Sequence, residues 1–357
     1  MNEMMLQLFA EAGTLVSTTG GYVNAHEGTS QAFEGANTLS PELKTFYDTE
    51  LLDNARVEMF YAQFGKKQPL PANHGKTVEW RKWNTFQKAQ QLQEGVIPTG
   101  QKFGVSAKTG TIHQYGTYAA VSDQLEMRAY DDVILGATEE MGGSAAETQE
   151  TLIRDALLTN TNVLYCDNVD AAGSVVSTPS LPAEMEAAAD VMSTLTPDMV
   201  AKAVTKLKKD RAPTIKGKYY AVIHPSVAYD LRKSDGWMEA HKYAAPGEIF
   251  NGEIGELHGC RFIENVFAPV LGGDYTNKAG TVTYATYFFG KDAFGIIDPE
   301  GGALEMIVKD KSQIGGPLNQ FSTIGYKLET NGATILYPER LLRVMSCSSY
   351  SATDEVN

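Results

Sequence analysis

His258 and Cys260 stand two apart, and an imidazole and a thiolate are both zinc ligands. A zinc site needs three or four ligands, and no second pair stands nearby at finger spacing, so this pair predicts no metal site. The other residues able to do chemistry are scattered. The histidines fall at positions 26, 74, 113, 224, 241 and 258. His224 ends an apolar run just before Pro225, where an imidazole caps or packs. No serine lies in a GxSxG turn, and there is no HExxH, GxxxxGK[ST] or GxGxxG after a strand. Asp131-Asp132 and Glu139-Glu140 are adjacent carboxylates, read most simply as solvated helix positions. Cys166, Cys260 and Cys347 are odd in number, far apart and without CxxC spacing. That argues against a disulfide framework and for a reducing compartment. The residue pattern therefore predicts no catalytic site, no metal and no cofactor.

Composition narrows the class further. The chain has 357 residues, 43% apolar and 21% charged, the balance of a globular protein with about two domains. Asp and Glu number 44 against 30 Lys and Arg, a net charge of −14. Proteins that grip nucleic acid electrostatically cluster cations against phosphate, so the balance argues against that mode. No apolar run reaches the ~20 residues of a membrane span. The opening MNEMMLQLFAEAGTLVS carries acids where a secretory leader carries Lys or Arg, and reads as a short amphipathic helix. Thr18 to Ser40, rich in Gly, Thr, Ser and Asn, reads as an irregular arm, and the polar tail from Ser346 as loose.

The elements follow from caps and periodicity. Ser40-Pro41 opens a helix that runs through Phe46, Leu51, Val57 and Phe60, and Gln68 to Gly75 (QPLPANHG) is a breaker cluster. Ile134, Thr138, Met141, Ala145, Thr148, Leu152 and Ala156 recur at steps of three or four, predicting a long helix over Ala129 to Asn160 with a bend at Gly142-Gly143. Thr196-Pro197-Asp198 starts another, and Lys206, Lys208, Lys209 and Arg211 close it where the helix dipole favours cations. Lys218 to Ile223 is a buried strand, followed by a short helix from Pro225, an α/β unit. Gly259 to Val266, Val282 to Phe289 and Leu304 to Val308 add strands, with another at Leu341 to Val344. Asn331-Gly332, between Ile324 to Thr330 and Ala333 to Tyr337, is the strongest hairpin signal in the chain.

Thr77 to Phe86 (TVEWRKWNTF) and Thr111 to Ser122 (TIHQYGTYAAVS) also read as strands. The polar stretch Gln87 to Thr109, with EGVIPTG at 94–100, lies between them as a tip. At a period of two, Trp80 and Trp83 take opposite faces, as do Ile112 and Tyr118 against Tyr115 and Val121. A two-stranded arm is marginal in water. With aromatics on both faces it needs cover, from its own core or from a neighbouring subunit.

The order of these segments, with PLPANHGKTVEW (69–80), LQEGVIPTG (92–100), QYGTYAAVSD (114–123), YYAVIHPSVAYDLR (219–232) and IGYKLETNGATILYPERLLRV (324–344), resembles the major capsid protein of tailed phages. The resemblance implies an α+β chain of the HK-ninety-seven-type fold, and it looks more closely like the N-four-type family. The resemblance implies an N-terminal arm (1–39), an N-terminal helix region (40–73), an extended hairpin loop (74–122) and a peripheral domain with its spine helix (123–195). It also implies an axial domain (196–323) and C-terminal strands returning to the peripheral domain (324–357). On this reading the chain is a structural protein, not an enzyme. It builds pentamers and hexamers of an icosahedral virion shell, assembled in the host cytoplasm, enclosing double-stranded DNA without sequence-specific binding. Separate scaffold, portal and decoration proteins are the expected partners, with no membrane. Trp80, Trp83, Ile97, Phe103, Ile112, Tyr115 and Tyr118 are the expected subunit-interface residues. The loop-tip lysines Lys88, Lys102 and Lys108 have no identified partner for an isopeptide cross-link, so none is expected. Two alternatives stand beside this: an encapsulin-like nanocompartment shell, and a cytosolic α/β enzyme with a site in Lys218 to Asp298.

Overall fold

The computed structural model describes residues 60–71, 75–83, 86, 88–89, 91, 100–128, 133–188, 190–234, 237, 253–299, 304–314, 318 and 320–357. A 3-10 turn (Tyr61–Gln63) leads into β1 (Lys66–Leu70), β2 (Thr77–Trp83), β3 (Val105–Thr111) and β4 (His113–Ser122). Helices α1 (Asp123–Arg128) and α2 (Val133–Leu158) follow, then β5 (Val163–Tyr165), β6 (Asn168–Asp170), β7 (Val175–Ser177) and β8 (Val191–Met192). Next come α3 (Pro197–Lys209), β9 (Tyr219–Ile223), α4 (Pro225–Lys233), β10 (Glu253–Leu257), β11 (Cys260–Glu264), β12 (Val270–Leu271) and β13 (Thr283–Phe289). The chain finishes with β14 (Phe294–Pro299), β15 (Leu304–Lys309), β16 (Phe321–Thr330), β17 (Thr334–Ile335) and β18 (Leu341–Ser346). The chain divides into two compact units, and the division falls inside α2, between Gln149 and Glu150.

Unit one holds residues 113–149 and 299–330. Its sheet runs β15-β16-β4, antiparallel throughout, with β4 and β16 in register from Ser122↔Phe321 to His113↔Thr330. Alternation sends Tyr115, Ala119 and Val121 of β4 and Ile324, Tyr326 and Leu328 of β16 into one core with Met141, Ala145, Ile134 and Ala137 of α2. The small residues of the helix stripe let the sheet approach closely. The Tyr326 hydroxyl lies 3.2 Å from Ser144 Oγ and 3.3 Å from Thr148 Oγ1, so its polar end stays paired.

Unit two holds residues 60–112, 150–298 and 331–357. Its main sheet runs β10-β11-β9-β13-β18-β5, with β12 also on β13. Every residue of β13 and of β18 is buried, which is why β13 reads without polar alternation, while β18 buries one cation, Arg343, whose Nη1 donates to the Leu158 carbonyl at 2.7 Å. Helices α3 and α4 bring Met199, Val200, Val204, Leu207, Val227 and Leu231 against Phe262, Phe288 and Val344 of the sheet. Thr196 Oγ1 accepts the Met199 N–H at the start of α3, and His224 Nδ1 accepts the Ser226 N–H at the start of α4, as their positions before Pro197 and Pro225 predict.

Several sequence expectations change. The strand facing β2 is β3, paired from Thr77↔Thr111 to Trp83↔Val105; it lies largely inside the stretch read as a polar tip. VSAKTGT is poor in β-branched and aromatic residues, so residue type concealed it. The 113–122 strand expected to face Thr77 to Phe86 pairs with β16. The Asn331-Gly332 hairpin does not form, because β16 and β17 belong to different sheets. Gly332 has the positive φ of +63° that the motif predicts, but Asn331 Oδ1 accepts the Ile297 N–H and the two strands part. Lys66–Leu70 is strand, although Gln68 to Leu70 falls in the segment read as breakers. The tail beyond β18 is tied down. Ser226 Oγ and Tyr284 Oη each donate to Asp354 Oδ2 at 2.7 Å, and Asn357 Oδ1 accepts the Val270 N–H at 3.0 Å. The expected helix from Ser40 lies almost wholly outside the described residues.

Candidate subunit interface

The β2–β3 ribbon alternates cleanly. Val78, Trp80 and Lys82 point inward, while Thr77, Glu79, Arg81 and Trp83 point to solvent. On the inner face Trp80 is buried with Ile297 and Leu336 and flanked by Leu70, Ile112 and Tyr337. Two glycines make its slot. A Cβ on Gly110 would stand 2.8 Å from the indole Cζ3, and one on Gly295 2.8 Å from Cζ2, so a side chain at either position displaces the ring. Lys82 Nζ pairs with Glu339 Oε1 at 2.6 Å and lies 4.6 Å from the Tyr337 ring centroid. Arg340 stacks over the same ring at 3.7 Å. Although burial raises the Glu339 carboxyl, the Lys82 ammonium and local hydrogen bonds bring it to a net position below its ordinary value.

The outer face is different. Trp83 and Phe103 stack with centroids 4.5 Å apart and planes 21° apart, and Phe86 stacks on Phe103 at 5.3 Å and 17°. Trp83 is 56% exposed, and Phe86 and Phe103 each 57%. Val105, opposite Trp83 in register, is exposed too. Three stacked rings in water form an apolar cluster of the kind that marks a contact surface.

The expected interface residues therefore separate. Trp83 and Phe103 come together on the ribbon's outer face. Tyr118 is exposed on β4 in unit one. Ile112 and Tyr115 are half-buried, each against its own unit's core. Trp80, expected at a subunit interface, has its shelter within its own chain, so of the two covers open to the ribbon its own core takes the Trp80 face. Ile97 lies outside the described residues. Phe86, which joins the exposed stack, was not among the expected residues, although its aromatic character beside Trp83 was visible.

Other polar clusters have a structural chemistry. In the Lys218 to Asp298 region, His224, Ser226 and Asp354 meet, but the Ser226 hydroxyl donates to Asp354 and not to the imidazole. That is a tail clasp, unlike the serine–histidine–aspartate order of a nucleophile. A cleft of about 420 Å³ beside β5 and α3 is lined by Tyr165, Asp167, Ser180, Met199 and Lys202. Its two charges pair with each other, so they do not converge on a guest. Among the described residues no three His, Cys, Asp or Glu stand close enough to hold a metal. Glu150, which sequence reasoning missed, is buried in unit two. Its carboxylate accepts the Tyr61 N–H at 3.0 and 3.2 Å, the neighbouring Phe60 and Ala62 amides, and Asn265 Nδ2. Burial pushes it up to about 7 against those donors. Its signal was a carboxylate inside the stripe Ala146, Glu150, Ile153, Leu157.

Comparison with known proteins fixes the class. The phage capsid protein family matches residues 106–338. This is well over half the chain, and the chain belongs to that family. Among solved structures it is similar to the capsid protein of Cyanophage Pam1, at 13% identity and a TM-score of 0.61 over 91% of this chain and 98% of that one. It is also similar to the capsid of Ralstonia phage GP4, at 12% identity and a TM-score of 0.59 over 92% and 97%. The SrpI encapsulin of Synechococcus elongatus matches at 11% identity and a TM-score of 0.51, over 94% and 98%. No curated protein matches the chain. The fold is the HK-ninety-seven-type capsid fold, and the chain is a structural protein that assembles with copies of itself into a phage shell.

Proposed function

We propose that this chain is the major capsid protein of an N-four-type tailed phage, forming the pentamers and hexamers of an icosahedral shell around double-stranded DNA. The observation that carries the reading is the stacked trio Trp83, Phe86 and Phe103 left in solvent on one face of a ribbon whose other face is buried. Copies of the chain meet by laying this ribbon on a neighbour. Trp83 and Phe103 supply most of the contact, with Tyr118, Ile112 and Tyr115 contributing, and Trp80 anchors the ribbon from within. Covering roughly 100 Å² on each of three rings contributes on the order of 7 kcal/mol before ordering costs. Repeated around closed rings, so modest a contact holds a large particle. The net charge of −14 suits a container whose wall must not bind phosphate. The shell is assembled in the host cytoplasm, with scaffold, portal and decoration proteins as separate chains.

The test is negative-stain microscopy and sedimentation of purified wild type beside the double substitution Trp83→Ala, Phe103→Ala. Wild type should give closed particles, and the variant folded subunits of unchanged circular dichroism that sediment slowly. Equal particle yields from both would overturn the assignment of the ribbon. The likeness to an encapsulin supports a second reading, a nanocompartment holding protein cargo. Terminase and portal genes beside this one support the phage reading; a cargo enzyme gene supports the other.

A further inference from the structure

At one end of the unit-two sheet, α3 stops and three tight turns meet. Backbone hydrogen bonds tie them together. The Lys291 N–H donates to the Pro213 carbonyl at 2.9 Å, the Tyr219 N–H donates to the Gly259 carbonyl at 3.0 Å, and Ile215 and Lys218 exchange bonds of 2.9 and 3.0 Å. Arg340 Nη1 donates to the Lys291 carbonyl at 3.2 Å. The helix dipole accounts for Lys206, Lys208 and Lys209 in the last turn of α3. It does not account for Arg211, Lys216 or Lys291, which lie beyond the helix and are exposed. Lys82, Lys202, Lys218, Lys278 and Lys311 each hold a carboxylate; among the described residues, Lys208, Lys209, Arg211, Lys216 and Lys291 form no ion pair. The acids of the same turns, Asp210 and Asp292, are outnumbered. The backbone is strained at this place too. Among the described residues, the non-glycine positions with positive φ are Arg211, Lys216, His258 and Asp292, at 56°, 50°, 52° and 58°, and all stand in these turns. Such conformations cost free energy and gather where a function holds them.

Unpaired cations on separate turns fit a polyanion whose charges recur along a line. A DNA duplex carries one negative charge per ~1.7 Å of axis, so each of these side chains can meet a phosphate of its own. We propose that this corner is a sequence-independent seat for the phosphate backbone of duplex DNA. The proposal rests on the reading of the chain as a shell around DNA and adds a point of contact to it. Neutralising about four phosphates makes such a contact weak and steeply salt-dependent. It is compatible with the net charge of −14, because the acidic remainder of the surface repels phosphate and the duplex rests at discrete points without adhering along the wall. An acidic surface of another protein chain is the rival occupant, and the test separates the two.

Two measurements test this. Dissociated wild-type subunits should bind a short fluorescent duplex of arbitrary sequence, with an affinity that falls roughly a hundredfold between 50 and 200 mM salt. Arg211→Glu with Lys216→Glu should weaken that binding about tenfold or more. Lys66→Glu with Lys67→Glu, exposed cations on β1, should leave it unchanged. No loss in the first pair, or equal loss in both, would overturn the proposal. The second measurement uses wild type alone, with lysine acetylation read by mass spectrometry. Lys209, Lys216 and Lys291 should react several-fold more slowly in DNA-filled particles than in the same particles emptied of DNA. Protection that persists after emptying assigns the corner to an acidic surface of another chain and overturns the proposal, as does the absence of protection in both. If filled particles leave the corner unshielded, this inference alone falls; if wild type forms no particles, or particles without DNA, the shell-around-DNA reading falls with it.

Discussion

Strand β13 and the ribbon strand β2 are both aromatic-rich, yet they use their side chains differently. TYATYFF is buried on both faces, between helices and strands of its own unit. TVEWRKW is buried at Trp80 and exposed at Trp83, three residues on. The first finds all its shelter in one chain and stabilises the subunit. The second splits its aromatic surface, half holding the ribbon to the subunit and half left in solvent. Aromatic content alone does not say which task a strand performs; the alternation of charge around it does. Glu79 and Arg81 make β2 a strand with a wet face, and β13 has no charge at all.

The contrast can be broken by substitution, beginning with the sheet. Phe288→Ala removes a ring packed edge-on at 5.9 Å from Phe262 and should cost the subunit about 3–5 kcal/mol, read from denaturant unfolding. A loss below about 1 kcal/mol would mean that β13 is no more committed to its own unit than the ribbon is. Next in size is a pH effect. The Glu150 carboxyl, ordinarily near 4.5, is held at about 7 by burial, so the folded state keeps its proton longer than the unfolded state. Its contribution is fully present below pH 4.5, is lost as pH rises to 7, and amounts to about 3 kcal/mol at about 1.4 kcal/mol per pKa unit. Glu150→Gln should flatten that slope in melts run from pH 4 to 8. On the ribbon's inner face, Gly295→Ala forces the Trp80 ring aside and should cost about 1–3 kcal/mol, with a red-shifted tryptophan emission as the indole meets water. The smallest effect belongs to the ion pair at the ribbon root. Its two side chains are 36% and 41% exposed, so Glu339→Gln should cost under about 1 kcal/mol and less in high salt.

How far the sequence reached differs by element, for physical reasons. The long helix was legible because its stripe repeats over seven positions, and α3 and α4 because Thr196-Pro197 and His224-Pro225 state their own starts. Strand β3 was hidden because Ser106, Ala107, Lys108 and Gly110 carry no strand preference; they pair because β2 and the Trp80 slot demand it. Asn331-Gly332 misled because a local turn preference yields to the sheets into which its flanks are drawn. The Trp83–Phe103 stack was legible as two aromatics but not as neighbours, since the segment joining their strands sets which residues meet. Glu150 was visible only as one acid in an apolar stripe, and its partners lie 89 and 115 positions away.

The clasped tail has a practical consequence. With Asp354 held by Ser226 and Tyr284, and Asn357 hooked to Val270, a peptide fused after Asn357 would leave from a fixed anchorage on the wall and not from a wandering thread. Every copy would then carry its graft at the same address on its own unit.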